Sequence, residues 1–263
     1  MNVHARKMLD ILRDLRDNHG VLAIKAEFEA EGSRTDELVM LNEVVFRADM
    51  NLIIKIGGCE AVRDLDQCRL LGATGMMAPM IETSFAMEKY VGALKKVYDE
   101  DELKDIEVII NAETKTCQQN FDSIMEAGKG VLDTIAIGRV DLSASMGLSR
   151  DVINGEEVFE KTKDFAVRAR KGGLTVGFGG GISFDAIPFI VRMYDMIDKF
   201  ESRKVVFRAD NNEKRLRDGI LKAMEFEVLY LKNKCEFYDR MAKEDFNRMQ
   251  MLEKRVMTAK ETM

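Results

Sequence analysis

Charged side chains recur where the apolar runs of this chain end. Lys25 and Glu27 close the first run, Lys55 closes the second, Glu82 follows the third and Glu113 follows the fourth. A charge set among apolar residues costs free energy unless it is paired or bound to a ligand. Carboxylates and lysines placed in this way can transfer protons, hold a divalent cation or attack a carbonyl group. Ion pairs that only close a sheet are the structural alternative.

The later runs end in residues suited to binding. Gly138, Arg139 and Asp141 follow the fifth run, and the sixth leads into a glycine-rich turn that contains Gly180. Backbone N–H groups of such a turn can approach an anion, although a tightly packed turn has the same composition. The last run is flanked by charged residues that we expect at the same end of the sheet: Glu201, Arg203, Arg208 and Asp210.

Glu113 and Asp141 are the best candidates for metal ligands. Each comes just beyond an apolar run, and one helical stretch separates them, so their strands would be neighbours in a barrel. Two carboxylates, completed by water and substrate oxygens, are a usual ligand set for Mg²⁺ or Mn²⁺. We therefore predict a site for one of these ions at the two residues.

Histidine is too scarce to supply a catalytic base in the body of the chain. His4 and His19 both precede the first apolar run, which excludes Ser-His-Asp and Cys-His arrangements there. Proton transfer must use carboxylates, lysines, tyrosines or metal-bound water. The four cysteines form no C-x-x-C pair, so we expect reduced, packed thiols and neither a zinc site nor disulfides.

Seven apolar runs alternate with amphipathic stretches. Consecutive apolar positions, as in residues 135–137, predict strands buried on both faces, which a parallel sheet covered by helices requires. The alternation predicts an α/β fold, either a barrel or a doubly wound sheet. A TIM (β/α)8-type barrel needs eight strands, so either a short eighth strand lies near residues 195–200 or the sheet is not closed. The predicted strands are residues 21–28, 51–56, 75–81, 107–111, 134–138, 174–178 and 204–207. The predicted helices are residues 3–18, 35–48, 60–71, 84–98, 116–127 and 156–171.

The C-terminal part is a long helical region with an apolar stripe. It has no proline, no glycine after Gly219, and a periodic pattern longer than a typical barrel helix. Two helices packed on the barrel would explain it, but an arm that packs on another subunit is favoured. We therefore assign residues 1–211 to a barrel with an N-terminal helix and residues 212–263 to a helical arm, and we expect a homo-oligomer.

The composition excludes several classes of protein. The 263 residues are 46% hydrophobic and carry a net charge of -6, which gives a sizeable core but no basic surface for nucleic acid. No apolar run approaches the roughly 20 residues needed to cross a bilayer, and the N-terminal segment lacks the apolar centre of a signal peptide. We expect a cytoplasmic protein without nucleic-acid or membrane partners.

Three segments resemble the HpcH/HpaI aldolase / citrate lyase β-subunit family. Residues 110–114 (Ile-Asn-Ala-Glu-Thr) are similar to its I-E-T strand end, and residues 133–147 to its I-G-x-x-D-L-S-x-S-x-G strand end. Residues 72–80 are similar to its G-A-x-G-I-x-x-P-M strand. The resemblance covers about residues 50–182 and implies a TIM barrel of the pyruvate/phosphoenolpyruvate type.

The resemblance also implies a chemistry. Glu113 and Asp141 would hold a divalent metal, and pyruvate or another 2-oxo acid would bind it through a carboxylate and the keto oxygen. The metal would act as a Lewis acid that stabilises an enolate. The backbone around Gly138 and Arg139 would hold the substrate carboxylate. Gly180, in the glycine-rich turn, is our third candidate for substrate binding.

Two departures from the family pattern bear on the reaction. Lys55 stands where members usually carry an Arg that contacts the keto oxygen, and it offers a charge without the planar fork. The His that the aldolase branch uses near the metal-bound water has no counterpart here. We predict a metal-dependent carbon–carbon lyase in which Lys55 polarises the keto group of a 2-oxo acid. Lys25, Glu27 or Glu82 would handle the proton of the aldol hydroxyl.

Three alternatives remain open at this point. Lys25 or Lys55 could form a Schiff base with a carbonyl substrate. The substrate could be an acyl-CoA, as in citrate lyase relatives, although no long basic patch favours it over a free or sugar-derived acid. A non-catalytic barrel scaffold would explain the missing His and the Lys in place of Arg.

Overall fold

Eight short strands close into a barrel in the computed structural model, which describes residues 1–261. Strand order follows chain order, and each neighbouring pair from β1 to β7 is parallel. The TIM-type prediction is confirmed, and β7 is the short strand expected near residue 200. The strands are β1 (Val21–Glu27), β2 (Asn51–Lys55), β3 (Gly75–Ala78), β4 (Glu107–Ala112), β5 (Thr134–Gly138), β6 (Thr175–Gly179), β7 (Lys199–Glu201) and β8 (Val205–Arg208).

Helices cover the outside of the barrel. Threonine side chains begin two of them, since Thr83 and Thr114 accept hydrogen bonds from the backbone N–H groups of Ala86 and Cys117. The helices are α1 (Val3–His19), α2 (Thr35–Arg47), α3 (Val62–Leu70), α4 (Ser84–Val97), α5 (Lys115–Ala127), α6 (Arg139–Ser145), α7 (Glu156–Lys171), α8 (Ile187–Met193) and α9 (Glu213–Glu261).

The strand β8 runs against its neighbours. It pairs antiparallel with both β7 and β1, and a turn over residues 202–204 joins it directly to β7. The N–H of Arg208 donates to the carbonyl of Gly20, at the amino end of β1. The expectation that Arg208 and Asp210 would join the carboxyl-end charges is therefore wrong, because the reversal carries them to the opposite end.

Side chains alternate between the inside and the outside of the barrel. Positions such as Ile24 and Ile54 face the helices, whereas a separate inner core fills the barrel. This double burial is the reason that the strands are apolar at consecutive positions. Two residues further along β1 and β2, the inward positions are Lys25 and Lys55. The inner core consists of Ala23, Ile53, Met77, Ile109, Ala136 and Val206.

The helix α9 belongs to the barrel only in its first half. It starts one residue after the predicted arm does, and it buries one face against the barrel up to Asn233. The side chain of Asn2, at the start of α1, donates to Asn233, so the two helices run antiparallel. Residues 239–261 are all exposed. Positions 262 and 263 of the predicted arm lie outside the described residues.

Two further findings concern residues 1–261. No helix there combines the length and the apolar character needed to cross a bilayer. All four cysteines are free, with Cys68 and Cys117 buried and Cys235 exposed. Burial raises the pKa of the Cys117 thiol to about 12, which makes it a packing residue.

Candidate active site

A cavity of about 540 Å³ opens at the carboxyl ends of the parallel strands. It brings together all but two of the predicted site residues; the exceptions are Glu82 and Arg139. Six carboxylates and four cations line it, an excess of two negative charges that a divalent cation would offset. The carboxylates are Glu27, Glu29, Glu113, Asp141, Glu201 and Glu227, and the cations are Lys25, Lys55, Arg150 and Arg203.

Glu113 is the most constrained acid of the cavity. It is 1% exposed, and its Oε1 accepts a hydrogen bond from the backbone N–H of Met80 at 3.0 Å. Its Oε2 accepts one from Asn111 Nδ2 at 2.8 Å and lies 3.9 Å from Lys55 Nζ. Burial raises the pKa of Glu113, and the charge of Lys55 acts against that rise.

Two backbone features hold Glu113 in place. Met80 has the left-handed φ of 52°, rare for a residue with a side chain, and its N–H meets the Glu113 carboxylate. Gly138 ends the neighbouring strand β5, where a Cβ atom would lie 2.5 Å from Glu113 Oε2. Only glycine allows this approach, so the Glu113 carboxylate is the reason that residue 138 must be glycine.

The residues at the cavity fit a divalent cation. Asp141 lines the same cavity from the first turn of α6, and its charge acts on Glu113. Asn111 Oδ1 is buried, lies at the cavity and has no hydrogen-bond partner. Two carboxylates and an amide oxygen without a hydrogen-bond partner are hard oxygen ligands of the kind that Mg²⁺ and Mn²⁺ prefer. In residues 1–261 no group of three or more His, Cys, Asp or Glu forms a ready-made metal cluster, so water and substrate oxygens would complete the coordination.

A second charged group surrounds Lys25. Its Nζ lies 2.6 Å from Glu201 Oε1 and 3.4 Å from Glu27 Oε1, with all three side chains buried. Burial opposes the ammonium charge, but the carboxylates of Glu201 and then Glu27 outweigh it, so the pKa of Lys25 is raised. Lys25 is therefore a charged ammonium at neutral pH that orders the two acids.

Lys55 connects the two groups of charges. Its Nζ lies 3.3 Å from Glu29 Oε2 in the loop after β1 and 3.9 Å from Glu113 Oε2. Only 9% of its side chain is exposed. The ammonium is thus held next to the candidate metal ligand, at the place where sequence reasoning expected a cation.

The Arg139 side chain lies behind the cavity. It is fully buried, and it donates to the carbonyls of Gly179 at 3.2 Å and Gly180 at 2.5 Å and to Asn154 Oδ1 at 2.9 Å. Burial without a carboxylate partner lowers the pKa of Arg139 to about 9. Its guanidinium therefore positions the glycine turn and does not reach the cavity.

The glycine turn itself lines the cavity. Gly180 has a φ of +87°, and a Cβ there would lie 2.9 Å from the backbone N of Val140. The turn and the start of α6 are therefore in close contact, next to Gly138 and Asp141. Of the three predicted substrate-binding residues, Gly138 and Gly180 line the cavity.

Glu82 lies outside the cavity. Its Oε1 accepts a hydrogen bond from Thr114 Oγ1 at 2.6 Å, and its backbone carbonyl accepts one from Asn120 Nδ2. The structure therefore does not bring Glu82 together with the other predicted catalytic residues. It lies several positions past β3, on the outer side of the start of α5.

Several lining residues carried no functional assignment from the sequence. Asn111 could have been found by parity, because residues two apart in a strand share a face and Glu113 was already assigned. Glu201 ends β7, the short strand that the sequence placed only approximately, and it was expected at this end of the sheet without a role. Three residues of α9 also line the cavity, which depends on the reversed β8: Ile220, Met224 and Glu227.

The barrel and its acidic carboxyl-end cavity define an α/β-barrel protein with the layout of an enzyme. The chain belongs to the HpcH/HpaI aldolase/citrate lyase family, whose profile matches residues 18–178. This family includes metal-dependent lyases. The family resemblance seen in the sequence is thus confirmed. No curated protein sequence matches the chain.

Solved structures share the fold at low sequence identity. An HpcH/HpaI aldolase from Desulfitobacterium hafniense DCB-2 is 15% identical with a TM-score of 0.62, over 76% of this chain and 82% of that one. A family member from Burkholderia cenocepacia J2315 is 14% identical with a TM-score of 0.56, over 83% and 99%. The citrate synthase SbnG is 16% identical with a TM-score of 0.57, over 87% and 99%.

Proposed function

We propose that this protein is a metal-dependent carbon–carbon lyase that acts on a 2-oxo acid. The observation that carries the proposal is the pair Glu113 and Asp141 in one cavity, beside the vacant Oδ1 of Asn111 and an excess of two negative charges. Glu113 and Asp141 would hold the cation. A divalent cation bound there would act as a Lewis acid for the keto group and so stabilise the negative charge of an enolate.

Lys55 adds a second positive charge at the same place. Its Nζ is held between Glu29 and Glu113 in a buried setting, where a charge acts more strongly than in water. An ammonium group gives one directed charge and lacks the bidentate fork of a guanidinium. Lys55 is therefore suited to polarise a single keto oxygen.

The group around Lys25 is suited to move the proton of the aldol hydroxyl. In the cleavage direction, a carboxylate of Glu27 or Glu201 takes this proton as the carbon–carbon bond breaks and its electron pair passes to the 2-oxo acid fragment. The proton then returns to the carbon that carries this electron pair. Lys25 stays charged throughout and orients both acids.

The Schiff-base alternative is less well supported. A lysine must be neutral to attack a carbonyl, and the pKa of Lys25 is raised because its two carboxylates outweigh its burial. Lys55 lies between two carboxylates of its own. Borohydride reduction in the presence of pyruvate should leave both lysines unmodified, whereas a trapped lysine together with EDTA-insensitive turnover would support the alternative.

The test is binding of Mn²⁺ and oxalate, an enolate mimic, followed by calorimetry and thermal shift. We expect oxalate to bind only with the ion present, and Glu113→Gln and Asp141→Asn each to weaken the ion at least about 10-fold. Glu82→Gln is the matched control, because this acid follows a neighbouring strand but lies outside the cavity, and it should bind as wild type does. Loss of binding in none of the three variants would overturn the proposal and favour a scaffold.

A further inference from the structure

A second apolar stripe runs along α9, and most of its large side chains are exposed, although Met224 also lines the cavity and Tyr238 contacts Glu37 of α2. Its members are spaced alternately three and four residues apart, the a and d positions of a heptad repeat. The a positions are Leu221, Val228, Cys235, Ala242, Met249 and Val256. The d positions are Met224, Leu231, Tyr238, Asp245, Leu252 and Ala259. We call these twelve residues the seam.

The seam is distinct from the face of α9 that packs on the barrel. Its large apolar members are between 38% and 52% exposed, as at Met224 and Val256. The barrel-facing residues occupy other heptad positions and are nearly fully buried. They are Leu216, Gly219, Ile220, Ala223, Phe226, Tyr230 and Asn233. One helix thus carries two apolar faces, and the barrel covers only one of them.

Beyond Tyr238 the helix leaves the surface of the barrel, as far as the described residues 239–261 show. Residues 239–261 would extend roughly 34 Å at 1.5 Å per residue, and all of them are exposed. In proteins most of the stability of a helix comes from packing of its apolar face, and the exposed residues 239–261 lack such packing on the barrel. A strict spacing of 3.5 residues, maintained over this stretch, is what a partner helix requires.

We propose that a second copy of this chain covers the seam, and that the two α9 helices form a parallel two-stranded coiled coil. The core residues favour this geometry, because β-branched residues at a with leucine at d select two parallel strands. Val228 and Val256 occupy a positions, and Leu231 and Leu252 occupy d positions.

The flanking charges agree with the parallel arrangement. In such a coil the g residue of one helix faces the e residue five positions later on the other. Three of these pairs join opposite charges, one joins two apolar residues and one joins like charges. The opposite charges are Glu227 with Lys232, Lys234 with Asp239 and Arg248 with Glu253. The apolar pair is Met241 with Phe246, and the like charges are Arg255 with Lys260. Within one chain Glu227 also lines the cavity and Lys234 also pairs with Glu37.

Two seam residues make the proposal specific. Asp245 is the charged member of the seam, and its charge weakens the coil there. Tyr238, the preceding d residue, donates a hydrogen bond to Glu37 of its own chain. Cys235 is an exposed free thiol at an a position. In a parallel coil in register, the two copies of Cys235 face each other across the axis, whereas an antiparallel pairing or a shifted register separates them.

The first test measures the molar mass of the full chain by light scattering and sedimentation. We expect a dimer or a multiple of it. Met249→Glu with Leu252→Glu should raise the dissociation constant of the dimer at least about 100-fold. The control is Met251→Glu with Met257→Glu, which removes two apolar side chains outside the seam, Met251 being as exposed as Met249 and Met257 more so, and should change it little. Asp245→Leu should tighten the dimer.

The second test is cross-linking with a short bismaleimide. The wild-type chain should yield a covalent dimer through Cys235, and Cys235→Ser should prevent the cross-link without changing the molar mass in solution. A monomeric wild type would overturn the proposal, as would equal losses in the two double variants. A dimer that forms no link through Cys235 would overturn the parallel register. Exchange of the pyruvate methyl protons measures the cavity separately. A failure of the coiled-coil proposal would therefore leave the proposed function untouched.

Discussion

The two ends of the barrel both hold ion pairs, which are more deeply buried at the carboxyl end. At the amino end, Lys199 pairs with Glu107, and Thr134 donates to the same carboxylate. At the carboxyl end, Lys25 and Lys55 are each shared between two carboxylates, Glu113 meets a vacant amide oxygen, and acids outnumber cations. The amino-end cavity also holds more acids than cations, with Asp105, Glu107 and Asp133 against Lys104 and Lys199. What distinguishes the carboxyl end is the buried carboxylate of Glu113 beside the unpartnered amide oxygen of Asn111, an arrangement suited to take up a cation.

The largest effects are expected when one acid is neutralised at each end of the barrel. Glu113→Gln should lower Mn²⁺-dependent exchange of the pyruvate methyl protons, followed by NMR in deuterium oxide, at least about 10²-fold. Its stability should stay the same or rise, since it removes a buried carboxylate. Glu107→Gln should keep the exchange rate and lose about 2 kcal/mol in urea unfolding. If the two variants changed the exchange rate and the stability equally, the two ends would not differ in function.

A smaller effect is expected from two inward glycines. Gly138→Ala places a Cβ 2.5 Å from Glu113 Oε2, so the carboxylate must move, and we expect about a 10²-fold fall in pyruvate exchange. Gly177→Ala meets Lys199 Cγ at 3.0 Å, on a flexible side chain. It should cost about 1 kcal/mol of stability, measured by urea unfolding, with activity close to that of wild type. Full activity of Gly138→Ala would show that the position of Glu113 is not critical.

The smallest effect concerns pH. The folded-state pKa of Lys25 is raised, because Glu201 and Glu27 together outweigh its burial. Its contribution to stability is therefore present below the unfolded pKa of about 10.4 and is lost as the pH rises through the folded-state pKa. In Glu201→Gln the burial of Lys25 dominates, so this loss of stability should begin at lower pH, measured by urea unfolding over a series of alkaline pH values. Glu43→Gln, whose carboxylate pairs with Arg47 on the surface, should leave that pH dependence in place.

The sequence predicted most strands and helices because each depends on a local pattern of apolar residues. Double apolar burial marked the strands, and a charged residue after each run marked the end that carries the cavity. The pair Glu113 and Asp141 could be assigned because consecutive parallel strands are neighbours in a barrel. The same reasoning placed Arg208 at that end and failed, because chain direction at β8 depends on how the barrel closes.

What the sequence determined by itself was therefore which residues form strands and helices, and which faces of them are buried. The tertiary structure decided which charges meet. Glu201 joins Lys25 from β7, with only β8 between their strands in the closed barrel, Arg139 turns behind the cavity, and Glu82 stays outside it. The physical reason is that apolar burial is encoded by a periodicity of a few residues, whereas an ion pair depends on strand register and barrel closure between residues far apart in the chain.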